Sequence, residues 1–258
     1  MRIKIFFRNP GEIILPVNYN HFLTSAIYGY LRESDEEYAD FLHGEGYALG
    51  QKKFKLFTFS QLICPNRKID GEKGEIHFLS PLTWYVSSPS ETFLGGFAAS
   101  LLSSQKLRVA STTLELRDLT IPRLPYFAER MRFTCLSPIT ISTVVERDGK
   151  RTQYYYRPDD ADFSEKVRQN LIRKYEVIHG NPSENTDFSM EFDADYIKKR
   201  GGRITKLIKF KDINIVGVLA PFVCKGNPGL IQIGYECGFG DKNSAGFGMV
   251  EVVKRKKG

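Results

Sequence analysis

The sequence predicts an α+β fold made of two copies of a small βαββαβ unit, one after the other along the chain. Three observations support this prediction. The 258 residues exceed one typical domain of roughly 150 residues and fall short of two. Predicted elements follow the order strand, helix, strand, strand, helix, strand, and a weaker copy of that order comes after it. Two prolines in residues 119–125 mark a linker, which predicts domains at residues 1–125 and 126–258.

The first copy starts with alternating residues over 2–7, which predict a strand. A helix is predicted over residues 20–32, because five apolar side chains recur there at helical spacing. These side chains are Leu23, Ala26, Ile27, Tyr30 and Leu31. A short second helix is predicted to stop at Gly44, a residue suited to a left-handed C-cap.

The rest of the first copy is predicted as strands on either side of one more helix. The helix has a start signal in which Ser88 is the N-cap, Pro89 takes the first position and Glu91 closes a capping box. The strands are predicted over residues 53–60, 75–85 and 107–117.

The second copy is predicted from weaker patterns. A helix over residues 162–179 has apolar side chains four residues apart, and a shorter helix or turn is expected over 228–236. Gly201-Gly202 predicts a two-residue hairpin turn. Strand-like residues cover 129–145, 213–219 and 247–253. Both copies have the element order of the ferredoxin-like fold, so the predicted class is two tandem ferredoxin-like (RRM-like) βαββαβ domains.

The charge of the chain is unevenly distributed. The chain has 37 basic and 30 acidic side chains, and residues 126–258 carry six of the seven excess positive charges. A basic half indicates a polyanionic partner, most often a nucleic acid or an anionic membrane. The strongest concentration is residues 198–211, with seven Lys or Arg and no acidic residue. A hairpin that presents charge to a phosphate backbone and an ordinary solvated edge hairpin both explain this segment. Residues 254–257 add a basic tail.

Other classes of protein are excluded by composition. No apolar run approaches the roughly 18 residues of a membrane span, and the start of the chain lacks a secretory signal core. The four cysteines lie far apart and form no Cys-x-x-Cys pair, so neither a zinc site nor a disulfide framework is expected. The sequence therefore predicts a cytoplasmic protein with reduced thiols, without a metal site or a cofactor.

Glycine is concentrated in residues 234–248, where it takes five of fifteen positions. Successive amides in such a loop can form a nest for phosphate oxygens, with Lys242 and Asn243 as further donors. A structural turn before the last strand explains the pattern equally well. The P-loop and dinucleotide-binding fingerprints do not fit, because the required lysine and third glycine are missing.

Three side chains in the first half are candidates for proton transfer and charge stabilisation. His43 ends the short helix, and a histidine can exchange a proton near neutral pH. Tyr28 lies beside the apolar stripe of the first helix, where it can present its hydroxyl group. Lys55 alternates with Phe57 and Phe59, so its stem can lie on aromatic rings while its ammonium group reaches a phosphate. Each of the three is also explained as an ordinary surface or boundary residue.

Two sets of motifs resemble one known family. Gly238-Phe239-Gly240 followed by Gly246-Phe247-Gly248 resembles the glycine-rich loop of the repeat-associated RNA-binding proteins of CRISPR systems. The first half resembles, more narrowly, the sixth Cas family, the endoribonucleases that process CRISPR precursor RNA. The motifs that carry this second resemblance are Leu15-Pro16, Asn18-Tyr19-Asn20, Ile27-Tyr28, Phe41-Leu42-His43 and residues 54–60.

The resemblance implies two ferredoxin-like domains and a metal-independent cleavage of CRISPR repeat RNA. In this reaction a ribose 2′-hydroxyl attacks the adjacent phosphate, leaving a 2′,3′-cyclic phosphate and a 5′-hydroxyl. Tyr28, His43 and Lys55 match the family's catalytic positions by motif context. The resemblance also leaves open a homodimer and assembly with other CRISPR effector subunits. The predicted RNA contacts are Lys52, Lys53, Arg200, Arg203, Lys206, Gly238, Gly240, Lys242, Asn243, Gly246 and Gly248.

Two other functions remain open at this point. A non-catalytic subunit that holds guide RNA in an effector complex would have the same fold and charge. A nucleotide-binding enzyme that uses the glycine-rich stretch is disfavoured, because the P-loop lysine is missing.

Overall fold

The computed structural model describes residues 1–9, 11–147 and 149–253. The basic tail at residues 254–257 lies outside the described residues. Within them, no helix combines the length and the apolar character that crossing a membrane requires.

The first half of the chain forms a five-stranded antiparallel sheet packed against helices. Its elements are β1 (Arg2–Phe7), β2 (Ile13–Pro16), α1 (Asn20–Ser34), α2 (Glu36–His43), β3 (Tyr47–Leu49), β4 (Lys52–Phe54), β5 (Thr58–Phe59), β6 (Arg67–Asp70), β7 (Glu75–Phe78), β8 (Leu82–Ser87), α3 (Glu91–Ser104), β9 (Lys106–Val109) and β10 (Thr112–Thr120). The sheet order is β5-β8-β1-β10-β9, and α1 packs on α3. The central position of β1 follows from its burial, because every second side chain is fully enclosed.

The second half repeats this arrangement with a four-stranded sheet in the order β14-β17-β11-β18. Its elements are β11 (Arg130–Cys135), β12 (Ser142–Arg147), β13 (Lys150–Tyr155), α4 (Phe163–His179), β14 (Phe188–Phe192), α5 (Ala194–Lys199), β15 (Thr205–Phe210), β16 (Ile213–Val218), β17 (Phe222–Gly226), α6 (Pro228–Cys237), a 3-10 turn (Asn243–Ala245) and β18 (Val250–Val252). Two hairpins, β12-β13 and β15-β16, are inserted outside the sheet. The predicted fold class is confirmed, and the boundary near residue 125 stays a prediction.

Three long strands predicted for the first half are each divided in two. The strand predicted over residues 53–60 breaks at Leu56, whose φ of 53° turns the chain and sends its side chain into the core of the second half. The segment 75–85 breaks before β8 at Pro81, which has no N–H group to donate. The segment 107–117 is the β9-β10 hairpin, with Ala110 left-handed at its turn.

The two helix caps predicted for the first half have different outcomes: the N-cap of α3 is wrong by two residues, and the C-cap of α2 is right in position but not in conformation. Helix α3 is capped by Ser90, whose hydroxyl oxygen accepts the N–H of Phe93, because Ser88 already donates its hydroxyl to the carbonyl of Leu56 at 2.7 Å. Helix α2 ends with Gly44 as its C-cap, as predicted, but the φ of Gly44 is −79°. The left-handed residue is Gly46, which donates its N–H to a carbonyl of α2.

The hairpin predicted at Gly201-Gly202 is also wrong. Both glycines have positive φ, but they end the short helix α5, where Gly202 donates its N–H to the carbonyl of Ile197. The last part of the basic segment forms strand β15, and its hairpin with β16 turns at Lys211 and Asp212. Lys211 itself takes the left-handed conformation, with a φ of 52°. The sequence signal favoured glycine for a conformation that a lysine adopts here.

The two halves meet along the glycine-rich stretch. Thr58 donates its hydroxyl to the carbonyl of Phe247 at 2.9 Å, and a Cβ added at Gly246 would overlap the ring of Phe59. Nearby, the buried guanidinium of Arg2 donates to the carbonyl of Tyr235 and to the carboxylate of Glu251. These contacts hold the glycine-rich stretch against α1 and β5, which is where the candidate site lies.

Candidate active site

Helices α1 and α2 bring two of the predicted catalytic side chains together. Asp35 is extended between the helices and caps α2 by accepting the N–H of Tyr38, so the chain reverses there. The rings of Tyr28 and His43 then meet edge to face, with centroids 5.2 Å apart and planes at 87°. Tyr28 is half-buried and also contacts the ring of Phe57, while His43 is exposed. The pair therefore places an imidazole in solvent beside a partly enclosed phenol.

Burial raises the pKa of Tyr28 well above the usual value of a phenol. The hydroxyl group therefore keeps its proton at neutral pH and can donate a hydrogen bond or a proton. It cannot act there as a resting base.

Lys55, the third predicted residue, contacts the backbone at the C-terminal end of α2, next to His43. Its ammonium group donates to the carbonyl oxygens of His43 at 2.9 Å and Gly44 at 3.3 Å, which closes the C-terminal end of α2. Burial, followed by the charge of Lys53, lowers the pKa of Lys55. Two of its three N–H donors are occupied by these carbonyls, which leaves one for another acceptor. The structure thus brings the three predicted residues together, and their roles stay predictions.

A cavity of about 510 Å³ opens in front of the Tyr28–His43 pair, and both halves of the chain form its walls. Thr24 donates its hydroxyl to the carbonyl of Ser244 at 3.0 Å, and Asn20 donates its amide to the carbonyl of Ala245 at 3.1 Å. The glycine-rich stretch is therefore bonded directly to α1. The remaining polar lining includes His21, Ser25, Arg32 and Lys211.

Lys211 is the cationic residue of this cavity that the sequence prediction missed. It lies at the tip of the β15-β16 hairpin and is exposed. The basic run in residues 198–211 includes it, but the turn predicted at Gly201-Gly202 put the hairpin tip at the wrong end of that run. Arg32, the other cation of the lining, pairs with Asp40.

The four predicted RNA-contacting glycines are required by close packing. Each has a φ between 77° and 87°, a range that side chains with a Cβ rarely adopt. A Cβ at Gly240 would overlap the carbonyl oxygen of Thr140, and one at Gly238 would come 2.5 Å from the side-chain nitrogen of Asn243. The stretch is therefore a compact, enclosed structure, and its proposed contact with RNA stays a prediction.

The interior of the glycine-rich stretch is built around Lys174 of α4, which the sequence prediction did not identify. Its buried ammonium group donates to the carbonyls of Gly238 at 2.7 Å and Gly240 at 2.9 Å, and to the side-chain oxygen of Asn243 at 2.7 Å. Asn243 extends this hydrogen-bond network, because its amide group donates to the carbonyls of Phe239 and Phe247. Both polar side-chain atoms of Asn243 thus form hydrogen bonds within the protein, although this residue was predicted to contact RNA.

Replacing Lys174 with methionine is expected to change how stability depends on pH. Burial lowers the pKa of Lys174 to about 8 from the usual 10.5, with Cys237 and Asp241 acting in the opposite direction. Between these pH values the folded chain binds fewer protons at this site than the unfolded chain, so Lys174 makes stability rise with pH. The unfolding free energy of the wild type minus that of Lys174→Met should therefore increase as the pH rises. Urea unfolding of both proteins from pH 7.5 to 10.5 measures it. A constant difference would contradict the assignment.

The remaining predicted RNA contacts fall into two separate cavities, each of about 340 Å³. Lys52, Lys53 and Lys242 line the first, together with Lys55 and with Arg173 of α4. This cavity adjoins the Tyr28–His43 cavity, since Ser244 lines both. Arg200, Arg203 and Lys206 line the second, with Arg67 from the first half. The structure does not bring these three residues into the Tyr28–His43 cavity.

In the part of the chain that the structure describes, no three His, Cys, Asp or Glu side chains are grouped so that they could hold a metal ion. All four cysteines are free thiols.

Comparison with known proteins gives consistent matches along the chain. A family model described as CRISPR-associated protein Cas6, N-terminal, matches residues 14–120, and one described as CRISPR associated protein Cas6, C-terminal, matches residues 122–252. CRISPR-associated endoribonuclease Cas6 1 of Methanocaldococcus jannaschii is 33% identical over 257 residues, which cover 99% of this chain and 94% of the relative. Cas6nc of Pyrococcus horikoshii, described as a CRISPR-associated endoribonuclease-like protein, is 26% identical over 93% of this chain and 94% of its own length. A solved structure of a Cas6-related protein from Pyrococcus furiosus has a TM-score of 0.85 at 27% identity, covering 99% of both chains.

Proposed function

Because the chain belongs to the Cas6 family of CRISPR-associated endoribonucleases, we propose that it cuts CRISPR repeat RNA without a metal ion, at the Tyr28–His43 pair. One observation carries this proposal: an exposed imidazole lies against a protonated phenol in a cavity that a lysine also lines. Cleavage by a ribose 2′-hydroxyl needs a proton acceptor, a proton donor and positive charge near the phosphate. The cavity supplies one group for each.

We assign His43 as the acceptor of the 2′-hydroxyl proton and Tyr28 as the donor to the 5′-oxygen. The 2′-oxygen forms a bond to phosphorus as the bond from phosphorus to the 5′-oxygen breaks, which leaves a 2′,3′-cyclic phosphate and a 5′-hydroxyl. A phenol is protonated at neutral pH, and burial raises the pKa of Tyr28 further, so this group starts the reaction as a donor and not as an acceptor. The substrate must be RNA, because the attacking group is a 2′-hydroxyl.

Positive charge for the pentavalent transition state is assigned to Lys55 and Lys211. Lys55 has one N–H donor beyond the two that hold the end of α2. Lys211 lines the cavity itself from the opposite half. Electrostatic stabilisation of this kind is commonly among the largest contributions to catalysis.

The test is cleavage of labelled repeat RNA in EDTA. We expect one cut, products that end in a 2′,3′-cyclic phosphate, and no cut when the nucleotide before the scissile phosphate is 2′-deoxy. Loss of cleavage in EDTA, with recovery on adding a divalent cation, would contradict the proposed mechanism.

A second function has two observations in its favour. The Cas6nc relative is described only as endoribonuclease-like, and the ammonium group of Lys55 is partly engaged with the backbone. A non-catalytic protein that holds repeat RNA would bind the same labelled RNA tightly and leave it uncut in every buffer. The EDTA assay therefore separates the two functions.

Three further predictions from the sequence are kept as part of this proposal. The chain divides near residue 125 into a half that carries the catalytic pair and a more basic half. The protein acts in the cytoplasm. Its other partners are CRISPR effector subunits or a second copy of the chain.

A further inference from the structure

A cavity of about 960 Å³ lies beside helix α1 and is lined by residues of the first half alone. The Tyr28–His43 cavity, in contrast, is also lined by residues of the second half. The larger cavity is bounded by α1 and by strand β9, the edge strand of the first sheet, and we refer to it as the α1–β9 groove. Ser25 and Gly29 line both this groove and the Tyr28–His43 cavity. The two residues are one helical turn apart, so the spaces adjoin across a single turn of α1 with little side-chain bulk between them.

The wall opposite α1 is positively charged. Lys106 and Arg108 are exposed on β9 and alternate with buried Leu107 and Val109, so both charged side chains project from one face of the strand. Neither forms an ion pair with any residue that the structure describes. One acidic side chain, Glu33, also lines the groove.

The backbone of β9 is held firmly at this position. The hydroxyl of Tyr30 on α1 donates to the carbonyl of Lys106 at 2.6 Å, and the hydroxyl of Ser104 donates to the same oxygen at 2.8 Å. Gln105 and Ala110, which flank the strand, both have a left-handed conformation. Strained residues of this kind occur where the surrounding structure fixes the backbone, often at functional sites. The two cations are therefore presented from a fixed strand.

We propose that the RNA strand on one side of the scissile phosphate crosses Ser25 and Gly29 into the α1–β9 groove, where Lys106 and Arg108 contact its phosphates. This inference rests on the proposed function. Together with the cavity of Lys52 and Lys53, which adjoins on the other side, it gives a continuous path of three cavities with the catalytic pair in the middle.

The chemistry of the groove favours a single strand of RNA as its occupant. Its volume lies at the upper end of the roughly 300–1,000 Å³ range of ligand cavities, and its two cations suit a phosphate backbone. Side chains with hydroxyl groups line both walls of the groove. These hydroxyl groups belong to Ser25, Tyr30, Ser104, Ser111 and Thr113. The hydroxyls of Ser25, Tyr30 and Ser104 already donate to backbone carbonyls, and their oxygens can still accept a hydrogen bond from a ribose hydroxyl.

The test measures binding of repeat RNA made uncleavable by a 2′-deoxy nucleotide at the cut. The double variant Lys106→Ala/Arg108→Ala is compared with Arg130→Ala/Lys225→Ala, which removes equal charge from an exposed cross-strand pair outside the three cavities. RNAs shortened stepwise from the 5′ end and from the 3′ end report which flank each variant affects. Thermal melting checks that both variants are folded.

We expect Lys106→Ala/Arg108→Ala to bind full-length RNA about 10-fold more weakly, with the slope of log affinity against log salt reduced by about 1 to 2. In one truncation series, and only one, the wild type should lose affinity step by step while this variant stays constant. The control variant should follow the wild type throughout.

Three outcomes would overturn the inference. The first is a groove variant that matches the control in affinity, salt slope and truncation pattern. The second is equal weakening in both truncation series, which indicates general charge attraction. The third is normal RNA binding with a defect seen only when effector subunits are added, which indicates a protein-docking surface. The expected truncation pattern in a protein that never cuts RNA would instead refute the proposed reaction and support the groove.

Discussion

Replacing His43 with alanine is expected to lower the single-turnover rate of repeat RNA cleavage by about 10²–10⁴-fold. The imidazole is the exposed partner of the Tyr28–His43 pair and is assigned to take the proton of the attacking 2′-hydroxyl. Among the described residues, the ring contact of its side chain is with Tyr28 of α1 and not with the glycine-rich stretch. Affinity for uncleavable RNA should therefore stay within about threefold of wild type, a difference of less than 1 kcal/mol.

The matched control is His179→Ala. His179 also lies in the last turn of a helix before a glycine, but its ring rests on Tyr175 at the end of α4, with centroids 4.1 Å apart. This variant should cleave at the wild-type rate. A His43→Ala protein that cuts as fast as His179→Ala would remove His43 from the mechanism and leave the cavity without its proton acceptor.

Replacing Gly248 with alanine is expected to reduce the unfolding free energy by more than about 4 kcal/mol, or to prevent folding. Gly248 has a φ of 80°, and a Cβ there would overlap the carbonyl oxygen of Phe239 and come 2.7 Å from the side-chain nitrogen of Asn243. Neither neighbour can move freely, because the carbonyl belongs to backbone and Asn243 is held by Lys174. Urea unfolding monitored by circular dichroism gives the free energy.

The control for Gly248→Ala is Gly95→Ala in α3. Nothing lies within 4 Å of a Cβ at Gly95, and this residue lies inside helix α3 without a positive φ. Alanine should therefore stabilise the protein by about 0.5–1 kcal/mol, the difference in helix propensity. Equal stabilities for the two variants would show that the glycine-rich stretch yields to a side chain and is not closely packed.

The elements that the sequence predicted well are those set by local periodicity. The helix that carries Tyr28 and the long helix α4 follow from apolar residues three and four apart. The elements that it missed depend on contacts remote in the chain. The strand breaks at Leu56 because this side chain packs into the core of the second half. The hairpin turn at Lys211 could not be predicted from glycine, because a lysine takes the left-handed conformation there.

The sequence predicted the residues of the candidate site, but not the contacts that bring them together. Tyr28, His43 and Lys55 do meet, but through α2 reversing onto α1 and a lysine bonded to its end, which no spacing in the sequence specifies. Lys174 did leave a signal. It lies three residues after Leu171 and seven after Val167, on the apolar face of α4, where a lysine needs a buried set of acceptors.

The bonds from Lys174 and Asn243 have a consequence for the kinetics of RNA binding. A segment with this many glycines loses an unusually large amount of conformational entropy when it is ordered. Here that loss occurs during folding, because carbonyl oxygens of the loop are already tied to an internal ammonium group and an internal amide. The loop is thus preorganised, and it does not have to become ordered when RNA binds. The conformational change on association is then mainly that of the RNA. Association should then be faster for repeats that are unstructured around the cut than for repeats that must first unpair there.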